Sequence, residues 1–188
     1  MTDLVIPVCD WIHREAEKIL FPGAVAVDAT MGNGVDTEFL CCTVGKEGKV
    51  YAFDIQNTAL ENTKKRLLSA GCEGQAILIC DGHEHMTEHI KEKVDCVVFN
   101  LGYLPCGDHS IITKKETTVT ALRSALELLN PGGAVFIALY WGHFGGEEEK
   151  SAVESFAQDL PSSLWYVAET SFPNKTKAPL MMIIQKRN

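Results

Sequence analysis

The feature that most constrains this chain of 188 residues is a regular alternation of short and long apolar segments. The short segments are rich in Val, Ile and Ala, whereas the longer ones carry apolar residues three or four positions apart. The first pattern is typical of buried strands and the second of amphipathic helices, so the alternation predicts a parallel sheet with crossover helices. We predict strands at 24–29, 50–55, 76–80, 94–100, 134–140, 164–170 and 180–185, and helices at 6–20, 36–44, 58–70, 85–92, 115–129 and 147–160.

The last two predicted strands break the alternation. The segment FPNKTKAP between them is too short for a crossover helix, so they should pair antiparallel. Six alternations followed by an antiparallel pair resemble the doubly wound, seven-strand, Rossmann-like sheet of methyltransferases, whose last strand is antiparallel. A chain of this length leaves no room for a second domain. We therefore expect an α/β fold in a single domain over 1–188, with a turn at 130–133 between the fifth helix and the fifth strand.

A glycine-rich turn follows the first predicted strand, at the edge where open α/β sheets bind ligands. Gly32 and Gly34 leave space where the backbone turns sharply and a ligand can lie against it. The turn has no third glycine and no lysine after it, which argues against a dinucleotide site and against a P-loop. With Asp28 it resembles the D-x-x-x-G-x-G motif of class I methyltransferases, whose turn holds the methionine moiety of S-adenosylmethionine. A tight turn without a ligand is the alternative.

Polar residues also occur at the ends of the second and third predicted strands. Asp54 comes about 20 residues after the glycine turn, the interval at which a carboxylate reaches ribose hydroxyls, and Gln56 is placed to add a hydrogen bond at the same rim. Asp81 and His83 follow the third strand, where this fold commonly has an acid that faces the adenine amino group. Each acid alone could cap a helix. Their occurrence at successive strand ends predicts a cofactor site.

The fourth predicted strand ends in Asn100-Leu101-Gly102-Tyr103. This segment is similar to the N-P-P-Y motif of amino-group methyltransferases and departs from it at Leu101 and Gly102. In such motifs the asparagine accepts hydrogen bonds from the substrate amine and aims it at the methyl group, while the aromatic ring stacks on a base. Asn100 and Tyr103 are therefore candidate catalytic residues that act by positioning. The alternative is that Asn100 caps a turn and Tyr103 packs on the surface.

The motifs together resemble one family over nearly the whole chain. DATMGNGVDTEFL, VYAFDIQ, DGHE, FNLGYLP and ALYWGHFGG are similar to the bacterial tRNA 5-aminomethyl-2-thiouridine methyltransferases, formerly described as rRNA methylases. The resemblance implies that S-adenosylmethionine methylates the aminomethyl nitrogen of a wobble uridine in tRNA. The resemblance also predicts a homodimer, although no feature of the residues themselves indicates one. It also implies a cofactor site lined by Asn33, Asp36, Asp54, Gln56, Asp81 and His83.

Histidines and cysteines invite two further hypotheses. His143, in the aromatic segment after the fifth predicted strand, is a candidate to take or relay the amine proton, because histidine titrates near neutrality. A plain aromatic loop is the alternative. The best metal candidates are the clusters at 81–85 and 106–109, but neither has the spacing of a zinc site, and we expect no metal.

Charge and hydropathy limit the partners of this chain. The net charge of −8 argues against nonspecific coating of nucleic acid, although no acid follows Glu169 and the C-terminal segment is basic. The sequence shows no signal-peptide pattern and no long apolar run, which predicts a cytoplasmic protein without a membrane span. A tRNA enzyme should carry cations around the mouth of its site, for which the candidates are Lys114, Lys115, Lys175 and Lys177.

Three functions remain open to the residues alone. The first is methylation of a tRNA wobble uridine. The second is a methyltransferase for rRNA adenine or for a small-molecule amine or hydroxyl, which the Asn-x-x-Tyr element also permits. The third is a noncatalytic module that binds cofactor or RNA, against which the intact Asp54 and Asn100 argue.

Overall fold

The computed structural model describes residues 6–102 and 112–188, and its strands form one mixed sheet. The strands are β1 (Val25–Asp28), β2 (Lys49–Phe53), β3 (Ala76–Ile79), β4 (Val94–Leu101), β5 (Leu129–Leu139), β6 (Trp165–Thr170) and β7 (Leu180–Lys186). Their order is β3-β2-β1-β4-β5-β7-β6. The first five are parallel, and β7 is antiparallel to β5 and β6. The expected fold class and the antiparallel last strand are confirmed.

Helices cover both faces of this sheet. They are α1 (Val8–Ala16), α2 (Val35–Val44), α3 (Asn57–Ala70), α4 (Met86–His89), α5 (Lys115–Leu128) and α6 (Gly146–Gln158). Ile12, Leu40 and Leu67 belong to the core on one face, whereas Leu122 and Val153 belong to the core on the other. Within residues 6–102 and 112–188, no helix has the length and apolar character needed to cross a bilayer.

The central strand β4 shows why the strands are continuously apolar. Cys96 and Val98 pack into the core beneath α1 to α3, whereas Val97 and Phe99 pack into the core beneath α4 to α6. Successive side chains of a strand point to opposite faces. Because both faces are covered, both sets are apolar, and the run of apolar residues predicts this strand correctly.

The turn predicted at 130–133 is wrong, because these residues lie within β5. Leu129 already pairs with Val94, and the register shifts before the regular pairing resumes. Asn130 Nδ2 donates to Asp95 Oδ1 of β4 at 2.8 Å, which fixes the irregular stretch against its neighbour. The alternative interpretation of this segment as a helix stop agrees with the end of α5 at Leu128. Within β5 the Pro-Gly-Gly sequence accommodates extra residues, as in a β-bulge.

The helix predicted over 85–92 is much shorter than expected. A 3-10 turn at His83–His85 precedes the single turn of α4. Ile90, with 1% of its surface exposed, adopts an extended conformation and enters the core. The helix ends there because the chain must reach the start of β4 at Val94 while it buries this side chain.

Candidate functional site

The carboxyl ends of β1 and β4 lie side by side in the middle of the sheet. The strand order reverses at this point, with β2 and β3 on one side of β1 and β5 on the far side of β4. Open α/β sheets bind ligands at such a switch point, because the connections after the two strands lead to opposite faces and leave a crevice. Asp28 ends β1 and Asn100 lies next to the end of β4, so the predicted cofactor and substrate residues meet here.

The turn between β1 and α2 depends on two glycines. Their φ angles are 52° at Gly32 and 77° at Gly34, a region that other residues rarely adopt. A Cβ at Gly34 would also lie 2.7 Å from Thr63 Oγ1 and 2.9 Å from Thr63 Cα on α3. Glycine at position 34 is therefore required by the packing of α3 as well as by the turn.

Asp28 lies beneath this turn and has no exposed surface. Its carboxylate accepts hydrogen bonds from Thr37 Oγ1 at 2.6 Å and from the Thr30 backbone N–H at 3.1 Å. Burial, and next the nearby Asp36 carboxylate, raises the pKa of Asp28 to about 7. Asp28 thus links the turn to α2 through hydrogen bonds from a buried position. Its direct contact with a cofactor stays a prediction.

Asp54 fastens the end of β2 to the glycine turn. Its Oδ2 accepts a hydrogen bond from the Gly32 N–H at 3.0 Å, and its Oδ1 accepts one from the Gln56 N–H at 2.9 Å. Burial raises the pKa of Asp54 above the ordinary aspartate value. Each carboxylate oxygen can accept two hydrogen bonds, so Asp54 retains capacity for hydroxyl donors of a ligand.

Asn33 and His83 border the same turn and contact neighbouring protein groups. The Asn33 side chain accepts a hydrogen bond from Asn62 Nδ2 at 3.0 Å, and its carbonyl accepts one from Arg66 Nε at 2.8 Å. His83 is buried, and its Nδ1 lies 3.1 Å from the carbonyl oxygen of Ala29. Burial lowers the pKa of His83 below the ordinary histidine value. The contacts of both residues with a cofactor stay predictions.

Asp81 follows β3 and is held by two imidazoles. His85 Nδ1 lies 2.9 Å from its Oδ1, and His89 Nε2 lies 2.8 Å from its Oδ2. The hydrogen bonds from His85 and then His89 lower the pKa of Asp81 to about 2, and the bond to Asp81 raises the pKa of His85. Across residues 6–102 and 112–188, no three His, Cys, Asp or Glu side chains are arranged to hold a metal ion. The metal candidate at 106–109 lies outside the described residues.

A polar network joins α1, α2, β4 and the residue after β5 beside the glycine turn. Asp36 Oδ1 lies 2.6 Å from His13 Nε2, and Asp36 Oδ2 accepts a hydrogen bond from Asn100 Nδ2 at 3.0 Å. Asn100 Nδ2 also donates to Cys9 Sγ at 3.2 Å, and Cys9 Sγ lies 3.2 Å from Tyr140 Oη. The Asn100 amide is therefore fixed through its nitrogen. Among the described residues, no donor bonds to its Oδ1.

Sequence reasoning did not identify Cys9 or His13 as members of this site, whereas it expected the segment 140–146 to close the substrate side of the pocket. The four-residue spacing of Cys9 and His13 places both on one face of α1, but it does not indicate which element that face meets. The His13 ring stacks on Phe39 with 3.8 Å between centroids, which orients it toward Asp36. Burial raises the pKa of the Tyr140 phenol, so this side chain stays protonated as a hydrogen-bond donor.

His143 lies in the loop that joins β5 to α6. Its Nε2 is 3.9 Å from the position that a Cβ on Gly102 would occupy, and Gly102 follows Asn100 by two residues. Its Nδ1 lies 2.9 Å from the carbonyl oxygen of Phe144. His143 and Asn100 are thus at neighbouring strand ends, while a role of His143 in proton transfer stays a prediction. Tyr103 lies outside the described residues.

Comparison with known proteins identifies the family. A family model described as "Putative rRNA methylase" matches residues 50–186, well over half of the chain. The chain belongs to the rRNA methylase family. Membership confirms the predicted resemblance and the predicted enzyme class, an RNA methyltransferase that depends on S-adenosylmethionine.

Relatives of this rRNA methylase family member extend the likeness over the whole chain. A chloroplastic tRNA (mnm(5)s(2)U34)-methyltransferase of Arabidopsis thaliana is 39% identical over 185 residues, which cover 93% of this chain and 68% of that protein. An rRNA methylase structure from Clostridium thermocellum is 40% identical, with a TM-score of 0.95 over 99% of this chain and 100% of that one. A methyltransferase structure from Streptococcus mutans in complex with SAH is 34% identical, with a TM-score of 0.88 over 97% and 99%.

The donors and acceptors of this rRNA methylase family member fit S-adenosylmethionine. The ribose hydroxyls and the adenine amino group of the cofactor are hydrogen-bond donors, and carboxylates are acceptors. Asp54 and Asp81 supply carboxylates after β2 and β3, which pair in register with Phe53 opposite Ile79. The Asp54 N–H donates to the Ile79 carbonyl at 3.1 Å, which holds the two strand ends together. Acceptors for both ends of an adenosine group therefore occur along one edge of the sheet.

Proposed function

We propose that this chain transfers a methyl group from S-adenosylmethionine to the aminomethyl nitrogen of wobble 5-aminomethyl-2-thiouridine in tRNA. The observation that carries the proposal is the 39% identity to a tRNA (mnm(5)s(2)U34)-methyltransferase over 93% of this chain. The site adds support, because the side-chain oxygen of the asparagine at the end of β4 accepts no hydrogen bond from residues 6–102 or 112–188. A primary amine offers the N–H donors that such an oxygen accepts.

We assign the positioning of the amine to Asn100. Asp36 and Cys9 hold its side-chain nitrogen, and Thr30 Oγ1 accepts its backbone N–H at 2.7 Å. This arrangement leaves the side-chain oxygen for an N–H of the substrate. The bound cofactor supplies an electrophilic methyl group on a sulfonium, so the protein mainly has to align the amine lone pair with that carbon.

We assign the release of the amine proton to the pair formed by Asp36 and His13. An amine attacks only when its lone pair is free, and the methylated product must lose a proton to return to the neutral amine. Asp36 Oδ1 and His13 Nε2 lie 2.6 Å apart, and the same carboxylate contacts Asn100. The Asp36–His13 pair is therefore in contact with the Asn100 amide to which we assign the substrate amine. His143 is the alternative acceptor from the neighbouring loop.

We assign Asp54 to the ribose and Asp81 to the adenine amino group, and the second assignment predicts a pH dependence. His85 bonds to the carboxylate that adenine needs, and this bond raises the His85 pKa above its usual 6.5. Binding that weakens the bond lowers the His85 pKa and releases protons. The affinity for S-adenosylmethionine should therefore rise as the pH increases through that pKa. In His85→Gln the rise should be smaller, as calorimetry at several pH values would show.

The matched control for this prediction is Lys91→Gln. Lys91 is a cation on the same segment, but its Nζ donates to the Thr87 carbonyl and does not contact Asp81. The pH profile of its cofactor affinity should match that of the unmodified protein. Equal pH profiles for His85→Gln and the unmodified protein would contradict the adenine assignment of Asp81.

The cations expected at the mouth of the site lie at the carboxyl edge of the sheet. The loop 171–179 joins β6 to β7 at this edge, where Leu139 pairs with Leu180. Trp141 Nε1 donates to the Ala178 carbonyl at 2.8 Å, which ties this loop to the one after β5. The candidate cations on this loop and at the start of α5 are Lys175, Lys177, Lys114 and Lys115. Their placement favours a nucleic acid over a small molecule as the substrate.

Replacing Lys175 and Lys177 together by glutamine should raise the Michaelis constant for tRNA and flatten its dependence on salt. Each phosphate contact releases about 0.7 to 0.9 counterions, so the slope against log salt should fall by about 1 to 2. Cofactor affinity should stay unchanged. The matched control is Lys18→Gln with Lys46→Gln, which removes two cations from segments that lead into β1 and β2 at the opposite edge. Identical salt slopes for both double variants would show that Lys175 and Lys177 do not contact RNA.

Nucleoside mass spectrometry tests the proposed function. The substrate is tRNA from a strain that lacks the corresponding gene, incubated with S-adenosylmethionine with and without the purified protein. We expect the aminomethyl nucleoside to gain one methyl group only when the protein is present. Methylation of rRNA or of a small amine in place of tRNA would overturn the proposal. Cofactor binding without any turnover would assign the chain to a noncatalytic module.

A further inference from the structure

Phe144 is the most exposed of the large apolar side chains in residues 6–102 and 112–188. It is 94% exposed, whereas the others in this group range from 38% to 66%. A phenylalanine in this position buries almost none of its apolar surface against the protein. The loop around it is nevertheless closely packed. A Cβ at Gly146 would lie 2.7 Å from Trp141 Cα, and the Gly146 N–H donates to the His143 carbonyl at 3.1 Å.

This side chain stands at the substrate side of the sheet. It belongs to the loop after β5, the strand next to β4, and its neighbour His143 reaches to within 3.9 Å of the Cβ position of Gly102. Its carbonyl contacts the His143 ring at 2.9 Å. Phe144 is therefore presented next to the strand end that carries Asn100, on a backbone fixed by its neighbours.

The charges around Phe144 are mixed. Lys177 lies against the same loop, with its Cβ 3.9 Å from the Cβ position of Gly142. Its ammonium group is 3.9 Å from Glu147 Oε1 in the first turn of α6, so part of its charge is neutralised. Lys115 borders the same helix end together with Glu147 and Glu148. Attraction of phosphates by the lysines does not explain why an aromatic side chain is exposed here. An apolar, flat binding partner explains it.

We infer that Phe144 is a stacking platform for an unpaired RNA base next to the methylated nucleotide. The inference rests on the proposed function and deepens it, since it assigns a residue that recognises the single-stranded part of the substrate. Single-stranded RNA is recognised by stacking of splayed bases on aromatic side chains. A nucleobase has the size and flatness to cover the exposed ring, and the nearby lysines suit its backbone.

Binding of an RNA anticodon stem-loop in the presence of S-adenosylhomocysteine tests this inference without relying on turnover. Phe144→Ala should raise the dissociation constant about 10-fold, within the range reported for loss of one base stack. Phe144→Trp should bind within about 2-fold of the unmodified protein, because indole also stacks. The salt dependence should not change, in contrast to the lysine variant. Phe21→Ala, which removes a 53% exposed ring that precedes β1 at the opposite edge, is the matched control and should have no effect.

Abasic substitutions at each nucleotide of the loop identify the stacked base. One abasic position should weaken binding by the unmodified protein but not weaken binding by Phe144→Ala any further, because the two changes remove the same contact. Equal affinities of Phe144→Ala and the unmodified protein, or additive losses at every position, would overturn the inference. If Phe144→Ala weakens RNA binding while tRNA gains no methyl group, the result contradicts the proposed substrate and supports the stacking role of Phe144. If tRNA is methylated and Phe144→Ala binds normally, only the stacking platform fails.

Discussion

Replacing Asn100 with alanine should lower the turnover of methyl transfer on the order of 100-fold, while the affinity for S-adenosylmethionine changes little. A misplacement of about 1 Å between reacting groups costs a factor of this size. Asn100 is held by Asp36, Cys9 and Thr30, and its side-chain oxygen is the fixed acceptor that we propose for the substrate amine. Without the amide, the amine loses its alignment with the methyl carbon. Single-turnover kinetics on tRNA and calorimetry with the cofactor measure the two effects separately.

Asn130→Ala is the matched control for this variant. Its amide also donates to a carboxylate, that of Asp95 at 2.8 Å, but at the start of β5 and away from the site. This variant should lose some stability and keep normal turnover. If Asn100→Ala turns over the substrate at a rate close to that of the unmodified protein, Asn100 has no part in the mechanism. The likeness of its segment to the N-P-P-Y motif would then be incidental.

Replacing Asp54 with alanine should weaken cofactor binding by about 1.5 to 3 kcal/mol, which corresponds to roughly a 10- to 150-fold rise in the dissociation constant. The carboxylate accepts the N–H groups of Gly32 and Gln56, and we assign its remaining capacity to the ribose hydroxyls. Asp54→Asn should lose less, because one acceptor oxygen remains. Calorimetry measures the affinity, and thermal unfolding shows whether each variant is folded.

The pKa of Asp54 predicts how cofactor affinity changes with pH. Burial raises it above the ordinary value, so the carboxylate takes up a proton at a higher pH than an exposed aspartate does. Cofactor affinity should accordingly fall on mild acidification, and this fall should be absent in Asp54→Ala. Asp95→Ala is the matched control, because Asp95 accepts the Val25 N–H at 3.0 Å on the amino side of the sheet. An unchanged affinity in folded Asp54→Ala would contradict the ribose assignment.

The fold followed from the sequence because its signals are local. Each parallel strand is buried on both faces, so its residues are apolar without interruption, as in β4. The connection 171–179 is too short for a crossover, which fixes the antiparallel direction of β7. The two errors also have local causes. Pro131 and the glycines after it form a turn signature that here lies within a strand, and α4 ends early because Ile90 enters the core.

The positions of the polar residues at the strand ends were also predictable. Gly32 and Gly34 have positive φ, as the glycine turn indicated. Asp54 contacts that turn, although Asp28 supports it from a fully buried position and Asp81 is held by two histidines. A polar residue directly after an apolar strand is recognisable in the sequence, because the end of a parallel strand is where a polar group can face a ligand.

The sequence by itself determined the elements, the glycine turn and the acids at the strand ends, because backbone conformation and apolar periodicity are properties of neighbouring residues. Only the tertiary structure decided that α1 brings Cys9 and His13 to Asn100 and Asp36, and that Tyr140, the residue after β5, contacts Cys9. These contacts join elements far apart in the chain. They exist because burial of apolar surface fixes the strand order and the placement of α1, and no local pattern encodes which faces will meet.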